Sequence, residues 1–194
     1  MEQIASKTRK TSYCRLLRAS AAMAVLAGPL MACAWPHKEF KGCITFESVP
    51  LGVDYVAFNS FTDSGVTITV DLFQWSNGTW VTGNHARADN RQMAGGSGQD
   101  MNLNNVNLRF DLGPKGASDL TVAVGEYGGN INLLVNGDFR NFANFPDINN
   151  TIVGGTQVTV IGGAQNQVGT LKLAGQVNSF SIGGQELWID DVCS

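Results

Sequence analysis

Val66-Thr67-Ile68-Thr69-Val70-Asp71-Leu72 alternates apolar and polar residues without a break. Because successive side chains of a β-strand point to opposite faces, this alternation is typical of a strand with one buried and one exposed face, as in antiparallel sheets. Past the N-terminal apolar stretch, no window keeps helical periodicity. The sequence therefore predicts an all-β fold. The other alternating segments are residues 106–112, 120–124, 131–135, 158–160, 171–173 and 180–182.

Glycine-containing pairs separate these segments. Asn77-Gly78 and Asn136-Gly137 are typical of type I′ hairpin turns, in which both central residues take positive φ. Gly128-Gly129 allows a further reversal, so residues 119–142 are predicted to form a three-stranded meander. Further glycine pairs separate strands at the short spacing of sandwiches and jelly rolls. We therefore expect an antiparallel two-sheet sandwich, jelly-roll-like, over residues 43–194.

The first residues of the chain predict export. A basic head is followed by an apolar stretch, residues 21–34, that is too short to cross a bilayer and closes on small residues. Residues 1–32 therefore form a predicted signal peptide of an exported bacterial protein, extracellular or at the outer surface or periplasm. Two processing sites remain open. Ala32-Cys33-Ala34 fits cleavage before Trp35, and Leu30-Met31-Ala32-Cys33 resembles a lipobox with Cys33 as the acylated residue. Residues 33–42 are a predicted linker.

Cysteine usage follows from this processing. Cys14 lies in the removed head, and Cys33 is either removed or acylated, which leaves Cys43 and Cys193. Two remaining thiols at the ends of a domain in an oxidising compartment predict a disulfide. Closing a loop of that length stabilises a fold by about 4–5 kcal/mol in the chain-entropy model.

The charge balance excludes one class of partner. Residues 33–194 carry eight lysines and arginines against fifteen acids, a net charge of −7. Such a domain repels nucleic acid and an anionic membrane, so nucleic acid is a poor partner. Contact with a membrane is expected only through a lipid at Cys33.

The two ends of the predicted domain carry a recognisable pattern. Cys43-Ile-Thr-Phe-Glu47 and Glu186-Leu-Trp-Ile-Asp-Asp-Val192 resemble the terminal strands of secreted bacterial jelly rolls, among them carbohydrate-binding modules and related uncharacterised exported domains. The resemblance implies that the first and last strands pair, in agreement with a bond between Cys43 and Cys193. It also implies a structural calcium ion between the termini, for which the candidate ligands are Glu47, Asp190 and Asp191.

The pairing of the ends places these carboxylates. If Cys43 faces Cys193, Glu47 lies diagonally about 7–8 Å from Asp191 on one side of the sheet. Asp190 points to the other side unless a bulge intervenes. Close carboxylates repel each other unless a cation joins them, and calcium prefers oxygen ligands. The alternative is a solvated acidic edge that deters strand addition.

A predicted hairpin with two tryptophans is the strongest local indication of a ligand-binding surface. With a two-residue turn at Asn77-Gly78, Trp75 stands opposite Trp80, and alternation from Val66 places Phe73 and both indoles on the outer face. Exposed aromatic rings can stack on sugar rings, while polar groups from residues 83–105 hold the hydroxyls. That segment is a long polar connection with a strand stub at residues 86–88. The candidate polar groups are Arg87, Asp89, Asn90 and Gln99. The alternative is an aromatic pair that only stabilises its hairpin.

No catalytic motif is present in the sequence. There is no G-x-S-x-G, H-E-x-x-H or C-x-x-C, and no catalytic residue is named. Glycoside cleavage needs two carboxylates about 5–10 Å apart, and nothing in the spacing selects a pair among Asp111, Glu126, Asp138 and Glu186. We therefore expect an exported glycan-binding sandwich, possible alternatives being a small polysaccharide lyase or hydrolase and an envelope or matrix structural protein.

Overall fold

The computed structural model describes residues 38–164 and 166–194, so the predicted signal peptide and Cys33 lie outside the described residues. The described chain forms seventeen strands and a short 3-10 helix, Phe145–Ile148. None of its helices is long and apolar enough to span a bilayer. The strands are β1 (Cys43–Ile44), β2 (Asp54–Tyr55), β3 (Ser60–Asp63), β4 (Val66–Asp71), β5 (Phe73–Gln74), β6 (Trp80–Val81), β7 (His85–Asp89), β8 (Asp100–Asn104), β9 (Val106–Asp111), β10 (Ala117–Glu126), β11 (Ile131–Val135), β12 (Asp138–Phe142), β13 (Ile152–Val153), β14 (Thr156–Gly162), β15 (Gln167–Val177), β16 (Phe180–Gly184) and β17 (Leu187–Cys193).

Two antiparallel sheets form the body of the domain. Sheet A has nine strands in the order β13-β14-β15-β10-β17-β8-β7-β2, with β1 paired to β17 beside this path. Sheet B has six strands in the order β12-β11-β16-β9-β4-β3. Strands β5 and β6 form a separate hairpin. The predicted all-β antiparallel sandwich is confirmed.

The core lies between the two sheets, as the alternation predicts. Val66, Ile68 and Val70 of sheet B are buried in one apolar cluster with Val124 and Ile189 of sheet A. Their neighbours along each strand point to the outer faces of the sandwich. The polar members of each alternating segment therefore line the two outer faces, where a ligand has access.

The terminal strands pair as expected. Cys43 lies opposite Cys193 and Ile44 opposite Val192, and a disulfide joins the two cysteines. Backbone hydrogen bonds between Gly42 and Ser194 continue this pairing. The bond closes a sequence separation of 150 residues, so it connects the two ends of the domain.

One predicted hairpin is confirmed and the larger meander is wrong. Asn136 and Gly137 have φ of 50° and 83°, and Val135 pairs with Asp138, as a two-residue type I′ turn requires. In contrast, β10 pairs with β15 and β17 in sheet A, whereas β11 pairs with β12 and β16 in sheet B. The chain at Gly128-Gly129 therefore passes from one sheet to the other, because glycines that permit a hairpin also permit a crossing.

Candidate functional site

The outer face of sheet B carries a groove of about 520 Å³. Its floor includes a row of directly opposed residues that runs across the strands from β12 to β9, in the order Phe139, Leu134, Ser181 and Arg109. Directly opposed residues share a face, so these side chains all point outward. We call this surface the sheet B groove. It is lined by Phe58, Asp71, Leu72, Trp80, Asn107, Arg109, Asn132, Leu134, Phe139 and Ser181.

The floor of the sheet B groove is polar at its centre. Arg109 Nε donates a hydrogen bond of 2.7 Å to Asp71 Oδ2, and both side chains are partly exposed. Ser181 lies directly opposite Arg109 on the neighbouring strand. The ion pair cancels its own charge, while its remaining donors and acceptors stay available to a polar ligand.

Asparagines attach the β5–β6 hairpin to this face. Asn132, 1% exposed, accepts a hydrogen bond from Gln74 N at 2.8 Å and donates one to Gln74 O at 2.9 Å. Asn130 and Asn141 donate to the same carbonyl oxygen, and Asn107 donates to Leu72 O at 2.6 Å. These bonds hold the hairpin at one side of the sheet B groove and so position Trp80.

The register of this hairpin differs from the prediction. Gln74 lies opposite Trp80, and Trp75 N donates to Thr79 O at 2.9 Å, so the loop has three residues. Gly78, with φ of 85°, adopts the left-handed conformation that follows a type I turn in such loops. Trp75 and Trp80 therefore occupy opposite faces of the hairpin, and the predicted facing pair is wrong.

The predicted outward position of Phe73 is also wrong. Phe73 is fully buried and its ring meets Trp75 edge-on, with centroids 5.1 Å apart. Strand β4 ends at Asp71, so the alternation that starts at Val66 does not continue into β5. Leu72, predicted to point to the core, lines the sheet B groove instead.

Three aromatic rings border the sheet B groove. Trp80 is 47% exposed and packs against Phe139, with ring centroids 5.0 Å apart. Phe58 is 69% exposed and has φ of 73°, a region that costs a bulky residue about 1–3 kcal/mol. Of these three rings, only Trp80 was predicted from the sequence. Phe139 was recoverable, because the turn at Asn136-Gly137 places it opposite Leu134, but no local pattern singles out Phe58.

The polar candidates from residues 83–105 lie on the other sheet. That segment forms the β7–β8 hairpin, with a connecting loop at residues 90–99. Ala86 and Ala88 are buried, so Arg87 and Asp89 point to the outer face of sheet A, whereas Trp80 lines the outer face of sheet B. The seven predicted ligand-binding residues therefore do not form one surface.

Each polar candidate has a defined environment. Arg87 makes a two-bond ion pair with Asp54, 2.6 Å at Nε, and these bonds lower the pKa of that carboxyl. Asn90 is exposed, and the amide of Gln99 donates to Phe46 O at 3.1 Å. Arg87 and Asp89 line a second cleft of about 520 Å³ on sheet A, in which the Arg91 guanidinium lies over the Trp188 ring, 5.5 Å from its centroid.

Three aspartates lie in one row of sheet A. Asp89 is opposite Asp100, and the register of β8 with β17 continues to Asp190. Asp100 and Asp190 are each 1% exposed, and burial raises the pKa of Asp100 to about 6 and that of Asp190 to about 7. Asp100 Oδ1 is buried and has no hydrogen-bond partner among the described residues. In the part of the chain that the structure describes, neither Asp100 nor Asp190 forms an ion pair with a lysine, arginine or histidine.

A bulge brings Asp190 to the side of Glu47. The pairing of β17 with β10 shifts by one residue near Asp191, which has φ of 45°. Gly96 lies against Asp190, and Gly98 lies against Glu47. The approach is so close that a Cβ added at Gly96 would overlap the Asp190 carboxylate, and one added at Gly98 would overlap that of Glu47. Ser97 Oγ of the same loop donates to Asp191 Oδ1 at 3.4 Å, so one loop contacts all three predicted calcium ligands. Among the described residues, however, no group of three or more His, Cys, Asp or Glu is placed to hold a metal ion.

The four carboxylates predicted as candidates for glycoside cleavage have different environments. Glu126 is buried and its Oε2 accepts from Phe145 N at 2.7 Å, and burial raises its pKa. Asp138 pairs with Arg140. Glu186 lines the sheet A cleft. Asp111, Glu126 and Asp138 do not line it. Nothing in this arrangement selects a catalytic pair.

Comparison of the chain with protein-family models, with curated proteins and with solved structures found no match. The resemblance to carbohydrate-binding modules therefore has no support beyond the all-β sandwich fold.

Proposed function

We propose that the protein is an exported glycan-binding β-sandwich whose binding surface is the sheet B groove. The observation that carries this proposal is the set of exposed rings around a polar floor. Phe58 combines two costs, exposure of a large apolar side chain and a left-handed backbone. Backbone strain and an exposed apolar side chain are often retained at positions where the side chain contacts a ligand.

A sugar chain suits both parts of this surface. The apolar faces of sugar rings stack on aromatic side chains such as Trp80 and Phe58, and their hydroxyls both donate and accept hydrogen bonds. Arg109 supplies donors and Asp71 supplies acceptors at the floor. Because these two side chains cancel in charge, the proposed ligand is a polar polysaccharide rather than a polyanion. In this proposal the domain works outside the cytoplasm of a bacterium, freely secreted or anchored through Cys33.

The test is a glycan array followed by titration of the best polysaccharide. Phe58→Ala with Trp80→Ala removes two stacking rings, and we expect affinity to fall more than about tenfold, as for central aromatic contacts at other interfaces. Trp75→Phe is the matched control, because Trp75 lies on the other face of the same hairpin. Circular dichroism checks that each variant is folded. Equal binding by the double variant and the wild type would reject the sheet B groove.

We also propose that calcium binds beside the Asn90–Gln99 loop. Asp100 and Asp190 would supply two carboxylates, and Glu47 and Asp191 contact the same loop at Gly98 and Ser97. The ion would neutralise carboxylates that otherwise share a buried site. What supports this is the unpartnered Asp100 Oδ1 and the raised pKa values of both aspartates. Calcium prefers oxygen ligands of this kind.

Thermal unfolding with calcium and with a chelator tests the metal. Binding to the folded state alone raises the midpoint in proportion to the logarithm of calcium concentration. Asp100→Asn should remove that dependence, whereas Asp111→Asn, an exposed acid elsewhere, should keep it. If the unfolding midpoint of the wild type did not change with calcium concentration, the proposed calcium site would be rejected.

A further inference from the structure

Positive charge is distributed unevenly over the domain. Residues 38–194 contain four arginines and four lysines. Every arginine is paired with an aspartate: Arg87 with Asp54, Arg91 with Asp89, Arg109 with Asp71 and Arg140 with Asp138. Three of the four lysines, Lys38, Lys41 and Lys115, line one cleft. Most of the positive charge that is not paired with an aspartate is therefore concentrated in this cleft.

This lysine cleft has a volume of about 750 Å³ and is also lined by Glu39, Gln176 and Asn178. Phe40 N donates to Gly116 O at 2.8 Å, which attaches the N-terminal segment beside Lys115. Gln176 Nε2 donates to Lys115 O at 2.7 Å and fixes the other wall. The backbone that carries the lysines is therefore held in place, while Lys41 remains 73% exposed at its side chain.

Glu39 is the single acid that lines the lysine cleft. Its carboxylate accepts a hydrogen bond from Ser118 Oγ and lies 3.5 Å from Lys41 Nζ. One lysine charge is thus partly compensated, and the cleft keeps an excess of two positive charges. In a domain of net charge −7, such a local excess marks the side that an anionic surface would approach, since charges beyond about 10 Å are screened at 0.1 M salt.

The position along the chain identifies that surface. Lys38 lies five positions after Cys33, the predicted acylation site, and an extended chain of that length reaches at most about 18 Å. A domain tethered at Cys33 would therefore keep the lysine cleft within reach of the lipid headgroups. Lysine is a point-charge partner for phosphate, and each lysine near an anionic bilayer contributes about 1 kcal/mol, roughly a fivefold factor.

We infer that the lysine cleft binds the phosphates of an anionic phospholipid surface and orients the anchored domain on its membrane. The inference rests on acylation at Cys33 and is independent of the glycan proposal. The net charge of the domain predicts repulsion from an anionic membrane. Because the lysine cleft is the positive end, this repulsion turns the cleft toward the membrane and the rest of the domain away from it.

The experiment uses the mature chain from Cys33, coupled through its only free thiol to a maleimide-bearing lipid. Vesicles of phosphatidylcholine with phosphatidylglycerol are compared with vesicles of phosphatidylcholine alone. An amine-reactive ester labels the lysines, and mass spectrometry gives the labelling rate at each one. Lys172, the fourth lysine, is outside the cleft and serves as the internal reference.

We expect labelling of Lys38, Lys41 and Lys115 to slow roughly fivefold on the anionic vesicles, with recovery in high salt, while Lys172 keeps its rate. Lys115→Glu should abolish the protection of the other two, and Lys172→Glu should preserve it. Equal rates on both vesicle types would overturn the inference. Protection by soluble polygalacturonate, without protection by the vesicles, would reassign the cleft to an acidic polysaccharide and overturn it as well.

Discussion

Removal of the Cys43–Cys193 disulfide should cost about 5 kcal/mol of unfolding free energy. The bond closes a loop of 150 residues, and the loop-closure entropy it removes from the unfolded chain grows with the logarithm of loop length. A single domain of this size is stable by about 5–15 kcal/mol, so the change is a large share of the total. The native pairing of β1 should survive, because Ile44 and Phe46 are fully buried beside the bond.

Urea unfolding of Cys43→Ala/Cys193→Ala, in a chain that also carries Cys33→Ala, measures this cost against the Cys33→Ala parent. The slope of free energy against urea should rise in the disulfide variant, since its unfolded state is less compact and exposes more surface. The parent with added reductant should match the variant. A loss below about 1 kcal/mol with an unchanged slope would refute the entropic argument.

Three further predictions follow from individual side chains. Phe58→Gly should raise stability in urea by about 1 kcal/mol, because glycine accepts a φ of 73° without strain, and should weaken glycan binding in titration. Asn132→Ala should cost about 1–3 kcal/mol, because Gln74 N loses its acceptor while Gln74 O keeps its bonds from Asn130 and Asn141, and limited proteolysis should cut the loosened β5–β6 hairpin. With chelator present, the raised pKa of Asp190, about 7 against the ordinary 3.8, means that the folded protein holds this proton more tightly than the unfolded chain. Its stabilisation should be complete below about pH 4 and be lost as pH rises to 7, by at most about 4 kcal/mol in urea titrations; a stability that rises over this range would contradict the assignment.

The core and the end-to-end pairing were predictable because both depend on patterns that the sequence displays directly. Val66, Ile68 and Val70 alternate with polar residues, and a strand has no other way to bury them together. Cys43 and Cys193 are the two thiols that remain under the predicted export, and a bond between them requires their backbones to lie close together. Neither inference needed the order of the strands in the sheets.

The hairpin register was not predictable from local sequence. Asn77-Gly78 is compatible with a two-residue type I′ turn and with a three-residue loop that ends in a left-handed glycine. The change from one to the other moves Trp75 to the opposite face from Trp80. In the structure Gln74 is bound by Asn132, which is 58 residues away along the chain. A local pattern carries no information on such a partner.

The sheet B groove was hidden for a related reason. Phe139 and Arg109 become neighbours of one surface only once β12, β11, β16 and β9 are placed in order. Arg87 and Trp80, close in sequence, belong to different sheets. Grouping the candidates by their distance along the sequence therefore joined side chains that belong to two different sheets.

Strand order also explains why the proposed surfaces can act independently. The sheet B groove lies on one outer face, the acidic row points to the outer face of the other sheet, and the lysine cleft lies beside the N-terminal segment. Because the face of each residue is determined by its parity along a strand, a bulge or a change of loop length moves a side chain from one surface to another. The bulge at Asp191 and the three-residue loop at Gly78 are two such positions, and each one determines which residues a ligand can meet.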